Sequence, residues 1–231
     1  MVNLRFQTDF KDPDSCREEL ELGIFGSSPT EREYARLSGI PLIPNATIGL
    51  RFGFESNAPG FPVGIRGVAP DVAVTRLFFA EEVVNLTSIK VAPLLHNRGV
   101  GRGVFAAIAK SAAAWGFKRI TAKAMRAGDA RMGFQNGYYS LARWGFNAPL
   151  SQEVVSRMPR KTNQAETLHD LMTIPSGRRH WKRHGETIDV EFDLDPESRC
   201  WSFLREEYQF SPALAMAGES GDEQAAISAA Q

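Results

Sequence analysis

The chain has 231 residues, 43% of them hydrophobic, enough to bury one sizeable core. Lys plus Arg and Asp plus Glu each total 27, so no global field draws the chain to nucleic acid or to an anionic membrane, and basic recognition has to be local. Cys16 and Cys200 are too few and too far apart for a disulfide framework; with no signal-peptide core in the first ten residues and no run of membrane-spanning length, the expected location is the cytoplasm.

Residues 4–7 read as a first short strand. Ser15-Cys16-Arg17-Glu18 has the form of a capping box opening a helix through Leu22, with Gly23 as its stop. Ser28-Pro29-Thr30-Glu31 opens a second helix, with proline at its first position, closed by Gly39 before Pro41. Ile48, Leu50, Phe52 and Phe54 then alternate in a strand over 45–55. A Pro/Gly loop is expected over 56–71 and further strands over 72–79 and 83–91, so that three closely linked strands form an antiparallel meander.

The last of these strands ends in Val91-Ala92-Pro93 and runs into His96-Asn97-Arg98-Gly99-Val100-Gly101-Arg102-Gly103. Glycines let a backbone approach a ligand without an intervening Cβ, and the N–H groups of a helix start favour an anion. Arg98 and Arg102 add fork-shaped charge suited to phosphate oxygens. Phe105, Ile108, Ala112 and Trp115 follow at helical spacing, Gly116 stops the helix, and residues 118–125 alternate as a strand. Because the connection is a crossover helix, that strand should lie parallel to the one feeding the loop. Another helix is expected over 132–143, ending in Trp144-Gly145-Phe146.

Two phosphate-binding loops are disfavoured by spacing. A P-loop needs Lys-Ser/Thr after its last glycine, where Val104-Phe105 stands, and a dinucleotide fingerprint needs a glycine at 104 with an acidic residue ending the next strand. The remaining pattern, Arg98-x-x-Gly101-x-Gly103 after a Val-x-Pro strand end and before an Ala-rich helix, resembles the coenzyme A motif of the GNAT superfamily of acyl-CoA N-acyltransferases. The Gly-Phe that follows the next helix resembles the same pattern. The resemblance is specific over residues 83–146, looser over the first 82, and poor from Ser151 onward. It implies an α/β (α+β) fold with a mixed sheet, an antiparallel meander plus a parallel pair splayed at the acyl-CoA site. It further implies a transferase moving an acyl group, most commonly acetyl, from coenzyme A as co-substrate to an amine acceptor, either a small molecule or a protein.

On that resemblance the backbones of Ile89 and Val91 pair with the pantetheine arm, and the N–H groups of Gly99, Val100, Gly101, Arg102 and Gly103, with Arg98, hold the pyrophosphate. Members of the family often place a tyrosine four residues before the glycine of Gly-Phe, where this chain has Leu141; Tyr138, one turn earlier, is the candidate acid for the departing thiolate. A purely packing role is the alternative for Tyr138. Asn136 is a candidate pantetheine contact or a helix cap. The family's carboxylate position falls on Asn85, which cannot take a proton, so either the acceptor amine arrives deprotonated or the base comes from the insert, where His169 and His184 are the titratable candidates. His180 and His184 lack a third partner, and no metal site is expected. A single domain is expected over 1–210, with a helical insert over 151–185 carrying the basic run Arg178 to His184, and a disordered tail over 211–231. Within the insert, helix starts are read at Asn163 and Ser176. Residues 186–194 alternate as a strand that would form a hairpin with one starting at Phe146, and Asp195-Pro196 should cap a last helix. Asp189, Glu191 and Asp193 line one face of that strand, as an outward polar face or an attractant for a cationic amine. Two alternatives to an enzyme stand beside this reading: a non-catalytic acyl-CoA-binding or protein-interaction module, and a nucleotide-binding protein using the same loop.

Overall fold

The computed structural model describes residues 3–8, 21–40, 46–52, 63–69, 72–80, 82–126, 137–158 and 164–209. Seven strands form one sheet in chain order: β1 (Asn3–Thr8), β2 (Thr47–Phe52), β3 (Val63–Ala69), β4 (Val72–Ala80), β5 (Val83–Val91), β6 (Arg119–Ala124) and β7 (Ile188–Asp193). Strands β2 to β5 are antiparallel in succession, as are β6 and β7; β1 runs parallel to β2, and β5 parallel to β6. The fold is a mixed α/β sheet with helices, and the β5–β6 pair has the orientation its crossover helix requires.

The meander has four strands rather than three, because β3 lies where a Pro/Gly loop was expected. Its Gly64 and Gly67 erase the alternation that marks a strand, and Gly67 does so for a packing reason: a Cβ there would stand 2.8 Å from Ile40 Cγ2. That isoleucine follows α1 (Glu31–Ser38), whose cap is Thr30 in a reciprocal box with Glu33, two residues later than the Ser28 start expected from sequence. Helical backbone over 21–25 passes through Gly23 and stops at Gly26, which takes the left-handed φ of 71°. The Ser15 box lies outside the described residues.

The long helix α2 (Val100–Ala114) packs on α1 and on β5. Beyond β6 come α3 (Gly137–Arg143), the insert helices α4 (Gln152–Ser156), α5 (Leu168–Thr173) and α6 (Pro175–His184), and finally α7 (Arg199–Gln209). Phe105 of α2 sits at the centre of the core, its ring 4.8 Å from Phe146, 5.0 Å from Phe192 of β7 and 5.8 Å from Trp144. The insert shares this core: Leu168, Leu171 and Trp181 are fully buried in the same cluster as the sheet residues.

Local chemistry moves some insert boundaries. Helix α5 starts at a Thr167–Asp170 capping box, α6 at Pro175 behind Ile174, and Asn163 lies outside the described residues. The strand expected from Phe146 shrinks to bridges of Asn147 with Glu191 and Pro149 with Thr167. Asp195 and Pro196 form a turn, with the Glu197 N–H donating to Asp195 Oδ1, so α7 begins only at Arg199. The expected tail, 211–231, is outside the described residues. No helix among the described residues is long and apolar enough to cross a membrane.

Candidate functional site

The β5–β6 ladder runs only from Val83↔Arg119 to Leu86↔Ala122, whereas β4 follows β5 to its last residue, Val72↔Val91. Beyond Leu86 the two parallel strands part. The register of β5 with β4 continues unshifted, so Ile89 and Val91 lie on the face opposite the buried Val84 and Leu86; both are half-buried, and Ile89 packs against the core. Past Leu86 the backbone of β5 on its β6 side has no strand partner, and the gap between the two parting strands is a slot in the half of β5 nearest the glycine loop.

That loop closes the slot. A short 3₁₀ turn at Pro93–Leu95 leads to Asn97 (φ 59°) and Gly99 (φ 79°), both left-handed, and α2 starts at Val100. Gly99 has no side chain to cap the helix, and the first intrahelical bond is from the Gly103 N–H to the Gly99 carbonyl, 2.9 Å. The N–H groups of Val100 and Gly101 therefore point out of the helix start with the positive end of its dipole, the arrangement that receives an anion. Gly101 lies under the indole of Trp144, where a Cβ would stand 3.2 Å from the ring, and 3.5 Å from Val91 Cγ2. Around Gly103 the same added carbon would meet nothing within 4 Å. Arg98 is exposed beside the loop, while Arg102 is 8% exposed on the first turn of α2.

The loop, Ile89 and Val91 are thus brought together. Asn136 lies outside the described residues. Two contributors were not singled out from sequence. The His96 ring Nε2 lies 2.9 Å from the Val91 carbonyl oxygen and holds the strand end, and Trp144 stacks on Phe105 beside Gly101. A signal for Trp144 was its place directly before the helix-ending glycine, which fixes its direction with the turn.

That turn is a Schellman closure of α3: Phe146 N–H donates to the Leu141 carbonyl at 3.0 Å and Gly145 N–H to the Ala142 carbonyl at 3.3 Å. The Gly-Phe pair therefore has a structural origin in this chain.

Tyr138 is buried at the start of α3, and its hydroxyl donates to the Lys182 carbonyl of α6 at 2.6 Å. Trp181 Nε1 donates back to the Tyr138 carbonyl at 2.9 Å, and Arg126 Nη2 donates to the Arg183 carbonyl at 3.2 Å. Carbonyls in the last turn of a helix lack intrahelical donors. Tyr138 and Arg126 supply them for α6 and fasten the insert to the end of β6, so the hydroxyl named from sequence as an acid has a capping role here.

The two candidate bases separate. His184 is exposed at the end of α6, its ring 4.8 Å from that of His180. His169 is in the core, 3% exposed, stacked on Phe203 at 4.5 Å with Nε2 2.8 Å from the Gly145 carbonyl. Burial lowers its pKa, opposed by the Gly145 hydrogen bond. A neutral ring donating to Gly145 braces the turn that aims Trp144 and does not reach open solvent as a base. Asn85 is exposed but lies in the paired half of β5, opposite Thr121. Asp189, Glu191 and Asp193 are exposed directly across from Lys123, Thr121 and Arg119, and Arg119 Nη1 is 3.7 Å from Glu191 Oε2, as an outward polar face requires. Among the described residues no three His, Cys, Asp or Glu side chains gather as metal ligands.

The buried ring sets a pH dependence. The folded state holds His169 neutral below the pH at which an unfolded histidine, with a pKa of about 6.5, takes its proton. The unfolded chain then binds more protons, so stability rises with pH in this window and falls as the pH drops below about 6.5. His180, lowered by partial burial and by His184, acts with the same sign. Thermal unfolding between neutral pH and the carboxylate range should show this loss, and His169→Gln, which keeps a donor for Gly145, should flatten it. An unchanged slope in the variant would clear His169 of the effect.

No protein-family profile matches the chain, and no curated protein matches it.

Proposed function

We propose that the chain is an acyl-CoA-dependent N-acyltransferase of the GNAT kind, with acetyl-CoA as the commonest donor of that class. The observation that carries this is the parting of β5 and β6 at Leu86, which opens the Ile89–Val91 edge directly above an uncapped, glycine-started helix. A thioester with a long amide-bearing arm and a pyrophosphate matches both halves. Backbone groups of β5 would pair with the arm, and the Val100 and Gly101 N–H groups would receive the phosphates. A compact nucleotide would use the helix start and leave the strand edge without a role.

The test is the thermal midpoint of the protein with acetyl-CoA, free coenzyme A, ATP and NAD, since a ligand of the folded state raises stability by mass action. Both coenzyme forms should raise the midpoint more than ATP or NAD. No shift with either at millimolar concentration sinks the proposal.

A second reading, a non-catalytic acyl-CoA-binding module, draws support from the Tyr138 hydroxyl, which is engaged by Lys182, and from the amide at Asn85. Acyl transfer to an amine by the parent chain separates the two readings, since a binding module shows none, and Tyr138→Phe then tests the phenol. Leaving the Lys182 carbonyl without its donor should cost about 1–3 kcal/mol of stability. Because the hydroxyl already serves the insert, turnover should change by less than about threefold, where loss of a general acid typically costs about 10²–10⁴-fold. A loss in the latter range at unchanged coenzyme affinity would assign the phenol to proton transfer.

A further inference from the structure

Helix α6 carries charge of one sign. Between Leu171 and Gly185 the chain has Arg178, Arg179, Lys182 and Arg183 and no Asp or Glu. The helix turns Gly177 and Trp181 inward and leaves Arg179, Lys182 and Arg183 exposed at i, i+3 and i+4 on the opposite face. Like charges at that spacing destabilise a helix by a few tenths of a kcal/mol per pair, no acidic side chain on the helix offsets them, and only the dipole at the carboxyl end, where Lys182 and Arg183 sit, works in their favour. Among the described residues Arg126, Arg179, Lys182 and Arg183 form no ion pair. The patch also extends beyond the helix: Lys182 Nζ lies 5.7 Å from the Tyr139 ring centre and Arg143 Cζ 5.8 Å from the same ring, so one half-buried ring gathers two cations.

Its location gives the patch a use. Arg126 is two residues beyond β6, and both its backbone N–H, bonded to Thr187 Oγ1, and its guanidinium, bonded to Arg183, tie it to the end of α6. Tyr138 makes the second tie. Strand β6 leaves β5 at Ala122, so the carboxyl end of α6 is fastened to the rim of the slot.

We propose that this face, formed by Arg179, Lys182, Arg183 and Arg126, recognises an acidic peptide segment and presents the amine it carries to the slot. The proposal rests on the acyltransferase reading for its chemistry and on the patch alone for its binding. Cations spread over a helical turn and across the Tyr139 ring are spaced for several carboxylates in an extended chain, beyond the reach of a single one. An acidic chain would also remove the like-charge repulsion within α6, so its affinity should fall steeply with added salt.

Binding is read by fluorescence anisotropy with a hexaglutamate peptide bearing fluorescein at its carboxyl end, against a hexaserine control, without coenzyme. The full chain should bind the acidic peptide, and the double variant Lys182→Glu, Arg183→Glu should bind it at least about tenfold more weakly. Its coenzyme-induced thermal shift should match that of the parent, which also reports that the variant is folded. Failure of the parent to bind, or equal binding by the variant, overturns the proposal. Tighter binding of a single-stranded DNA of equal charge overturns the peptide assignment. Absence of a coenzyme shift in the parent bears on the acyltransferase reading alone, because the peptide arm contains no coenzyme.

Discussion

Gly145→Ala should lower the stability of the chain by about 3 kcal/mol or more, from the strain of a left-handed alanine together with overpacking. Gly145 holds φ at +96°, and a Cβ there would collide with the Cys200 carbonyl of α7 and stand 3.1 Å from Phe203 Cβ. Neither neighbour is a flexible side-chain end that can swing away. For a chain of this size the loss corresponds to a fall in melting midpoint of about 6–12 °C. The damage would reach the candidate site, because the same residue closes α3, accepts the His169 hydrogen bond through its carbonyl, and sets the direction of Trp144 beside Gly101. Thermal unfolding measures the first effect. Tryptophan near-ultraviolet circular dichroism measures the second, and a midpoint within about 2 °C of the parent would show that α7 gives way without cost.

What could be read in advance follows a simple division. Signals confined to a few neighbouring residues were legible: the glycine-started α2, its stop at Gly116, the parallel placement of β6, and the helix-ending Gly145. Each rests on local backbone chemistry or on the handedness of one crossover. Strand β3 was hidden because two glycines interrupt its alternation, and one of them, Gly67, makes room for Ser38 and Ile40 at the end of α1, so the residue that makes the packing possible also removes the signal. The Tyr138 hydroxyl shows the same limit at the site. Its partner, the Lys182 carbonyl, is a backbone group supplied by the insert, and no side-chain pattern announces it. His169 was visible as a titratable group, but its burial beneath Gly145 depends on α5 and α7 packing around one turn. The end of the β5–β6 ladder at Leu86, which creates the slot, is a register property of two strands that the residues of neither one specify alone.

Gly103→Ala separates the cradle from the fold, and its two effects should have opposite signs. A Cβ at 103 meets no atom within 4 Å, and the residue lies within α2. Exchanging glycine for alanine inside a helix is worth up to about 1 kcal/mol, so the midpoint without ligand should hold or rise by about 2–4 °C. Gly101 cannot serve this purpose, because its added carbon would stand 3.2 Å from the Trp144 ring and mix strain with any loss of binding. A Cβ at 103 would tilt toward the N-terminal end of α2, the end at which the pyrophosphate of an acyl-CoA would rest in the proposed reading. A methyl group there would hold the phosphates off the backbone, and acetyl-CoA should bind at least about tenfold more weakly, about 1.4 kcal/mol, with a correspondingly smaller thermal shift. Calorimetric titration with acetyl-CoA gives the affinity directly. A stabilised variant that binds the coenzyme as tightly as the parent would place the phosphates away from the first turn of α2, and the β5 edge would have to account for the coenzyme without the helix start.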